Sequence, residues 1–289
     1  MIDLQVHTNS SDGELSPTEI VDLAIKRGLK ALAITDHDAI DAVEPAIAYA
    51  RNKNIEIVPG IEIECEESKY GFHKVDMLGL LIDYSDRSLI NFTESMKSER
   101  ISQKKSIIKK LNNLGFEISF EEVSKIVKGS FGRPHIAKIL LKRYPNEFAS
   151  ISDVFDKYIG ENKPAFVERK GRATLNAAAN IIKKSGGISI LAHPGIFKKE
   201  DSAELIDIFA DSGGEGIETY YPYYIICPDL KINKAQNEDL INFYRNIAKS
   251  KKLLESGGSD FHGSYRDTMG LLQIPYKILE NLRAKIPVN

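Results

Sequence analysis

The chain has 289 residues, enough for one large domain or two smaller ones with a substantial core. Its 39 basic and 41 acidic side chains leave a formal net charge of −2, which excludes a global basic field that would collect nucleic acid. Cys65 and Cys227 are too few for a disulfide framework, and no apolar run is long enough to span a membrane. We therefore expect a cytoplasmic protein without a membrane partner.

The first part of the chain alternates short apolar runs with amphipathic helices. Residues 2–6 predict a strand, and the next helix begins at a capping box formed by Ser16 and Glu19 and ends near Gly28. Strands are predicted over residues 30–35, 55–58 and 74–82, with a helix over about 40–53. This alternation predicts β-α units.

Residues from about 94 to 165 carry helical signals and almost no strand signal, which predicts a small all-helical insert over residues 98–167. The alternation then returns, with helices predicted at 173–185, 203–211, 237–251 and 276–284 and strands at 188–192, 216–220 and 253–257. Strands that alternate with helices indicate a parallel sheet, and about seven such units fit a barrel made of residues 1–97 and 168–289.

Acidic and histidine side chains cluster at the ends of these strands, where parallel barrels carry their active sites. The candidates, in chain order, are Gln5, His7, Asp12, Asp36, His37, Glu62, His73, His193, Asp260 and His262. Each has a simpler explanation when taken alone, such as a turn at Asp12 or a helix cap at Asp36. Together, nitrogen and carboxylate ligands suit Zn²⁺, Mn²⁺ or Fe²⁺, and they indicate a metal-dependent hydrolase.

The segments that carry these residues resemble the PHP (polymerase and histidinol phosphatase) superfamily from one end of the chain to the other. The matching segments are residues 3–8, 11–13, 34–38, 59–62, 192–194 and 258–263. Residues 132–135 and 163–167 are similar to the subgroup that contains RNase AM and the nucleoside 3′,5′-bisphosphate phosphatases. The resemblance implies an α/β fold, a distorted (β/α)7 TIM-like barrel whose inserted helical domain caps the active site.

The resemblance also implies two or three divalent metal ions, Mn, Zn or Fe, that share a nucleophilic hydroxide. The first ion would be held by Gln5, His7, Glu62 and Asp260, the second by Glu62, His73 and His193, and the third by Asp12, His37 and His262. The family usually has histidine at the position of Gln5. Because an amide oxygen is a weaker donor than imidazole, the first ion should bind more weakly or be Mn²⁺.

Asp36, Arg133 and His135 are expected to act on the substrate phosphate and its orientation. Arg133 and His135 stand at the start of a predicted helix of the insert. An arginine fork and a helix N-terminus both favour phosphate, and the resemblance implies that these residues hold it over the metals. Without the resemblance, a surface charge and a packing residue would be the better interpretations.

The implied function is that of a metal-dependent phosphoesterase. It would release phosphate from a nucleoside 3′,5′-bisphosphate or 5′-monophosphate, or 5′-terminal nucleotides from short RNA; a net charge of −2 disfavours long duplexes. One alternative is a phosphatase for another small phosphomonoester such as histidinol phosphate, against which the insert with Arg133 and His135 counts. Another is a non-catalytic metal-binding module, which Gln5 keeps open. A metal-free sugar- or cofactor-binding barrel would require every acid–histidine cluster to be accidental.

Overall fold

The protein divides into two compact units. The computed structural model describes residues 1–127 and 130–286. One unit consists of Met1–Thr93 and Ala173–Asn289, and the other is Glu94–Arg172. The sequence predicts the insert at 98–167, four residues later at its start and five residues earlier at its end than the second unit.

Seven strands of the first unit form one sheet whose spatial order follows the chain. They are β1 (Ile2–Val6), β2 (Ala31–Ile34), β3 (Glu56–Glu67), β4 (Phe72–Leu80), β5 (Ile188–Leu191), β6 (Gly216–Tyr220) and β7 (Leu254–Gly257). The pairs β1–β2, β2–β3, β5–β6 and β6–β7 are parallel. In contrast, β4 runs antiparallel to both of its neighbours, so the sheet is mixed.

The antiparallel strand corrects the expectation of a fully parallel sheet. The sequence predicts that the third strand ends at residue 58, but β3 continues for nine further residues. It then turns through Ser68–Tyr70 and Gly71, whose φ is 81°, directly into β4. A short turn joins antiparallel strands, whereas a parallel pair needs a longer crossover. The reversal therefore follows from the missing helix between β3 and β4.

The sheet closes into a barrel because the segment after β7 returns to β1. The backbone N–H of Asp260 donates to the Gln5 carbonyl at 3.0 Å, and the N–H of His7 donates to the Phe261 carbonyl at 3.0 Å. Gly258 permits this approach, since a Cβ at that position would lie 2.3 Å from the Cβ of Gln5. The predicted distorted barrel is confirmed, and closure leaves the first and last strands without a free edge.

The described helices are α1 (Pro17–Lys26), α2 (Val43–Ala50), α3 (Arg87–Asn113), α4 (Phe120–Ser124), α5 (Arg133–Arg143), α6 (Ile151–Val154), α7 (Leu175–Lys184), α8 (Lys199–Asp211), α9 (Tyr223–Ile226), α10 (Lys234–Lys251) and α11 (Tyr276–Arg283). The predicted capping box of α1 is present, with Ser16 and Glu19 each accepting the other's backbone N–H. Among the described residues, no helix combines the length and the apolar character that a bilayer crossing requires.

Each unit has a core of its own. Strand residues and helix α11 share one cluster of the first unit, which includes Leu4, Ala33, Val58, Leu78, Ile190 and Leu279. The core of the second unit includes Ile107, Leu111, Phe116, Ile136, Leu140 and Phe148. Burial of these apolar side chains stabilises each unit separately, because each cluster draws its members from one unit only.

Candidate metal centre

The structure brings eight of the nine predicted metal ligands together at one end of the barrel. They come from β1, from the loops after β1, β2, β5 and β7, and from within β3. The eight are Gln5, His7, Asp12, His37, Glu62, His193, Asp260 and His262. Loops after parallel strands meet at the same end of a barrel, which explains why residues so distant in sequence converge.

Glu62 lies at the middle of this cluster and is fully buried. Its Oε2 lies 2.9 Å from His7 Nε2 and 3.5 Å from His37 Nδ1. Its Oε1 lies 3.2 Å from His193 Nε2 and accepts a hydrogen bond from Gln5 Nε2 at 2.9 Å. Its two oxygens thus face different groups of ligands, which is the geometry of a bridging carboxylate.

Two other carboxylates complete the groups around Glu62. Asp12 lies 3.2 Å from His262 Nε2 and 3.9 Å from His37 Nε2. Asp260 Oδ1 lies 3.2 Å from His7 Nε2. Three sets of donor atoms, each within 4.8 Å of one another, could hold an ion: His7–Asp12–His37–His262, His7–Glu62–Asp260 and His37–Glu62–Asp76.

The donor atoms fit divalent cations because several of them are buried without a hydrogen bond. These atoms are Gln5 Oε1, His7 Nε2, His37 Nδ1, Glu62 Oε2, Asp76 Oδ1 and His193 Nδ1. An unpaired buried polar atom costs free energy, and native proteins pair nearly all such atoms. A cation among them would supply the missing partner, so the residues present fit a multi-metal centre.

The pKa values of the cluster reflect close packing of opposite charges. Burial lowers the pKa of His7, but the adjacent carboxylates of Asp260 and Glu62 outweigh burial and hold that pKa well above its ordinary value. Burial also lowers the pKa of His193, but the carboxylates around it, mainly that of Glu62, raise this pKa to about 10. Burial raises the pKa of Glu62, but His37, His193 and His7 hold it well below its ordinary value. Metal binding would therefore displace protons from imidazoles.

The tautomer of His262 is fixed by its own segment. Its Nδ1 lies 2.8 Å from the carbonyl oxygen of Asp260, which can only accept a hydrogen bond. We therefore assign a proton to Nδ1, so that Nε2, 3.2 Å from Asp12, is the ring nitrogen that faces the donor group. Metal-ligating histidines commonly donate their second N–H in this way, and the contact orients the ring.

Two predicted ligands adopt left-handed backbone conformations. His193 has a φ of 30° and Asp260 a φ of 50°, values that residues with a side chain rarely adopt. The backbone N–H of His193 donates to Glu218 Oε2 at 2.9 Å and helps to hold this conformation. Strained backbone persists mainly where function requires it, which strengthens the assignment of these residues to the site.

The structure places His73 outside the cluster. Its side chain is 62% exposed, and its Nδ1 lies 3.4 Å from Glu66. The sequence predicts His73 just before a fourth strand at residues 74–82, but β4 begins at Phe72 and includes His73. Because β4 runs antiparallel and β3 continues past Glu62, the start of β4 lies beyond the cluster, three residues or roughly 10 Å along the strand from Asp76.

Asp76 is the acidic residue that the sequence reasoning missed. Its Oδ2 lies 3.8 Å from His193 Nε2, and it forms one of the three donor groups with His37 and Glu62. Burial, followed by the charge of Glu62, raises the pKa of Asp76 to about 7. The available signal was an acidic side chain inside the apolar run of residues 75–82.

Asp36 is fully buried and is not a member of the three donor groups. One of its oxygens accepts hydrogen bonds from Thr8 N at 2.7 Å and Ser11 Oγ at 2.5 Å, and the other accepts from Thr8 Oγ1 at 2.6 Å. Both oxygens therefore hold the loop that carries Asp12. In this structure Asp36 positions a predicted ligand, and its contact with substrate stays a prediction.

Arg133 and His135 belong to the second unit, where they begin α5. Arg133 donates to the Ile159 carbonyl at 3.3 Å, and its guanidinium lies 5.6 Å from the centre of the Phe155 ring. His135 Nδ1 accepts the backbone N–H of Gly132 at 3.1 Å, and burial lowers its pKa. These contacts stabilise the helix start, and the predicted role in phosphate binding stays a prediction.

A pocket of about 230 Å³ borders the cluster. Its lining includes six members of the three donor groups or their neighbours: His37, Glu62, Asp76, His193, Asp260 and His262. The remaining lining residues are Ile196, Tyr221, Ile226, Cys227 and Arg266. A small organic phosphate could therefore reach the metal ligands from a wall that is partly apolar and carries one guanidinium.

Comparison with known proteins places this geometry in a family. A 5′-3′ exoribonuclease of Haemophilus influenzae is 31% identical over 262 residues, covering 90% of this chain and 89% of that protein. A 3′,5′-nucleoside bisphosphate phosphatase of Chromobacterium violaceum is 29% identical over 265 residues, covering 90% and 87%. A phosphoribosyl 1,2-cyclic phosphate 1,2-diphosphodiesterase of Eggerthella lenta is 25% identical over 266 residues, covering 91% and 94%.

The fold comparison agrees. A solved Chromobacterium violaceum structure, described as an amidohydrolase with bound sulfate and no metal, superposes with a TM-score of 0.78 at 28% identity. The alignment covers 99% of this chain and 97% of that one. The PHP domain family matches residues 3–191, which contain five of the eight clustered ligands. The chain therefore belongs to the PHP domain family.

Proposed function

We propose that this protein hydrolyses nucleotide phosphoesters, releasing phosphate from a nucleoside 3′,5′-bisphosphate or 5′-monophosphate, or 5′-terminal nucleotides from short RNA. Its named relatives are hydrolases of phosphoesters, and the chain is an enzyme of that class. The observation that carries the proposal is the buried Glu62 cluster, whose unpaired donor atoms border a small pocket.

The residues of the cluster would hold the metal ions, and the ions would act on the phosphate and on water. Ions bound here would polarise a phosphoryl oxygen and lower the pKa of bound water, which is the chemistry that Mn²⁺, Zn²⁺ or Fe²⁺ supplies. Glu62 would bridge the ions. The groups around it would be Gln5, His7 and Asp260; Asp12, His37 and His262; and Asp76 with His193. Tyr221 donates to Asp260 Oδ2 at 2.7 Å, which leaves Oδ1 directed at His7 and able to ligate an ion.

The size of the pocket and the net charge of the chain favour a small or single-stranded substrate. A pocket of about 230 Å³ is smaller than the roughly 300 Å³ at which ordinary ligand sites begin, so it suits a phosphate and the adjoining part of one nucleotide. The net charge of −2 gives no general attraction for a long polyanion. Both features support a terminal phosphate as the group that enters.

Phosphate release from adenosine 3′,5′-bisphosphate tests the proposal. Wild-type protein with Mn²⁺ should release phosphate, and a chelator should abolish the release. His193→Ala should lose activity by roughly a hundredfold or more, because Glu62 and its ion lose a partner. A wild-type protein that folds and binds Mn²⁺ but releases nothing would exclude nucleoside 3′,5′-bisphosphates as substrates. If it also yields no product from a short RNA with a 5′-phosphate, a non-catalytic metal-binding module is favoured.

A second substrate separates the two activities that the relatives represent. A short RNA with a 5′-phosphate should yield mononucleotides if the protein is an exonuclease, and inorganic phosphate if it is a monoesterase. Product chromatography distinguishes these outcomes with the same protein and the same His193→Ala control.

A further inference from the structure

We infer that Arg266 contacts the substrate directly and binds the phosphoryl oxygens beside the metal cluster. The inference rests on the proposed function, because it requires a phosphate in the pocket. Arg266 was not a candidate in the sequence, where it lies in a turn beyond the last ligand motif.

The backbone of Arg266 is tied to the segment that carries two predicted ligands. Its N–H donates to the Gly263 carbonyl at 3.1 Å, and its carbonyl accepts the N–H of His262 at 3.4 Å. A tight turn with two such contacts fixes where the side chain starts. The position of Arg266 relative to His262 and Asp260 is therefore determined by the short stretch of chain between them and by backbone hydrogen bonds.

The guanidinium uses one nitrogen for the protein. Nη1 donates to Asp260 Oδ2 at 2.7 Å and lies 3.3 Å from His262 Nδ1. Because that His262 nitrogen carries a proton, only the contact with Asp260 is a hydrogen bond. An arginine has five N–H donors in a planar fork, so Nη2 and Nε retain donors that make no hydrogen bond to a described residue.

The remaining donors are accessible to a molecule in the pocket. Arg266 lines the pocket and its side chain is 31% exposed, whereas the Asp260 side chain beside it is 7% exposed. The other lining residues outside the donor cluster are Ile196, Tyr221, Ile226 and Cys227, which carry no cationic group. Among the described pocket residues, Arg266 is thus the cation that is not itself a candidate metal ligand.

The chemistry of this placement suits a phosphate in particular. A guanidinium binds phosphate oxygens with two parallel hydrogen bonds, and it remains charged throughout the physiological pH range. Charge that develops on the phosphoryl oxygens during hydrolysis would be stabilised by a donor already held in place by Asp260. Arg266 would therefore orient the phosphate toward the ions while also fixing one of their ligands.

Binding of inorganic phosphate to the Mn²⁺-loaded protein tests the inference without relying on turnover. Arg266→Met removes the charge at similar length, and Arg266→Lys keeps the charge but loses the fork. Arg245→Met is the matched control, because Arg245 pairs with Glu255 and does not line the pocket. Mn²⁺ affinity is measured first by electron paramagnetic resonance, and phosphate affinity then by calorimetry at saturating Mn²⁺.

Arg266→Met should weaken phosphate binding by roughly 30-fold or more, the loss typical of one partner of a hydrogen-bonded charge pair. Arg266→Lys should show an intermediate loss, and Arg245→Met should match the wild type. The variant Arg266→Met binding phosphate like the wild type at saturating Mn²⁺ would overturn the inference and leave Arg266 as a residue that only positions Asp260. A Mn²⁺-loaded wild type that fails to bind phosphate would also overturn it.

Two outcomes separate this inference from the proposed function. If the wild type binds phosphate through Arg266 but forms product neither from adenosine 3′,5′-bisphosphate nor from the short RNA, the nucleotide proposal fails and Arg266 remains a phosphate-binding residue. If the wild type turns over and Arg266→Met retains phosphate affinity, the inference fails alone. Should Arg266→Met not fold, Arg266→Lys decides the question with the same measurements.

Discussion

Two side chains give this centre more oxygen ligands than the histidine-rich set that the resemblance implies. Gln5, whose Oε1 is buried without a hydrogen bond, stands where the family usually has histidine, and Asp76 takes the place near Glu62 and His193 that His73 was predicted to take. Carboxylate and amide oxygens suit Mn²⁺ better than they suit softer ions. We therefore expect Mn²⁺ to support activity better than Zn²⁺.

A pair of variants tests the exchange of His73 for Asp76. Asp76→Asn should lower Mn²⁺ affinity and activity by at least roughly tenfold, because a charged partner of the cluster is lost. His73→Ala should leave both unchanged, since its side chain is exposed and contacts Glu66. Calorimetric Mn²⁺ titration and phosphate release measure the two effects. A loss of metal binding in His73→Ala would show that the exposed position of His73 does not represent the functional state.

Strand direction decides which members of the cluster can be predicted from the sequence. Residues such as His7, His37 and His193 follow strands that run parallel, so their order in the chain was enough to predict that they meet. The direction of β4 could not be predicted from its apolar residues, because the pattern of a short apolar run is the same for a parallel and for an antiparallel strand. Hence Asp76 was missed, and Arg266 was missed because it lies in a turn without a motif.

The contact between the end of β7 and β1 gives a prediction for the barrel itself. Gly258→Ala would place a Cβ 2.5 Å from Gln5 N, an atom of a buried strand that cannot move aside. We expect a loss of roughly 1–3 kcal/mol in the free energy of unfolding, together with weaker Mn²⁺ binding. Urea denaturation and Mn²⁺ titration measure these changes.

Gly28→Ala is the control for that variant. Its φ is 74°, but no atom lies within 4 Å of the added Cβ, so only backbone strain of about 1 kcal/mol is introduced. Mn²⁺ affinity should not change in this control. Equal losses in both variants would indicate that the close approach of Gly258 to Gln5 contributes nothing specific.

For the whole molecule, the cluster links stability to pH in opposite directions with and without metal. In metal-free protein, a histidine whose pKa is raised by folding stabilises the folded state. This stabilisation is complete at pH values below the pKa of the unfolded protein, and it is lost as the pH rises through the pKa of the folded protein. For His193 that window extends from 6.5 to about 10. Asp76, whose pKa is raised to about 7 by burial, acts in the same direction at lower pH.

Metal binding reverses the trend, because imidazoles must lose their protons before they bind a cation. Between pH 6.5 and 9, the melting temperature of the metal-free protein should therefore fall as the pH rises. The increase in melting temperature on addition of Mn²⁺ should become larger over the same range. Proton release on Mn²⁺ binding can be measured by calorimetry in buffers of different ionisation enthalpy. A benefit from Mn²⁺ that is independent of pH would contradict this description of the cluster.

The hydrogen bonds that join β1 to the segment after β7 also determine when the centre can assemble. Gln5 and His7 are translated more than 250 residues before Asp260 and His262, to which their strand is joined by hydrogen bonds. Contacts of such long range form late, because much of the intervening chain must be ordered first. On the ribosome, the nascent chain would thus carry its first ligands before the set is complete. The protein could become active only after the segment that follows β7 has paired with β1.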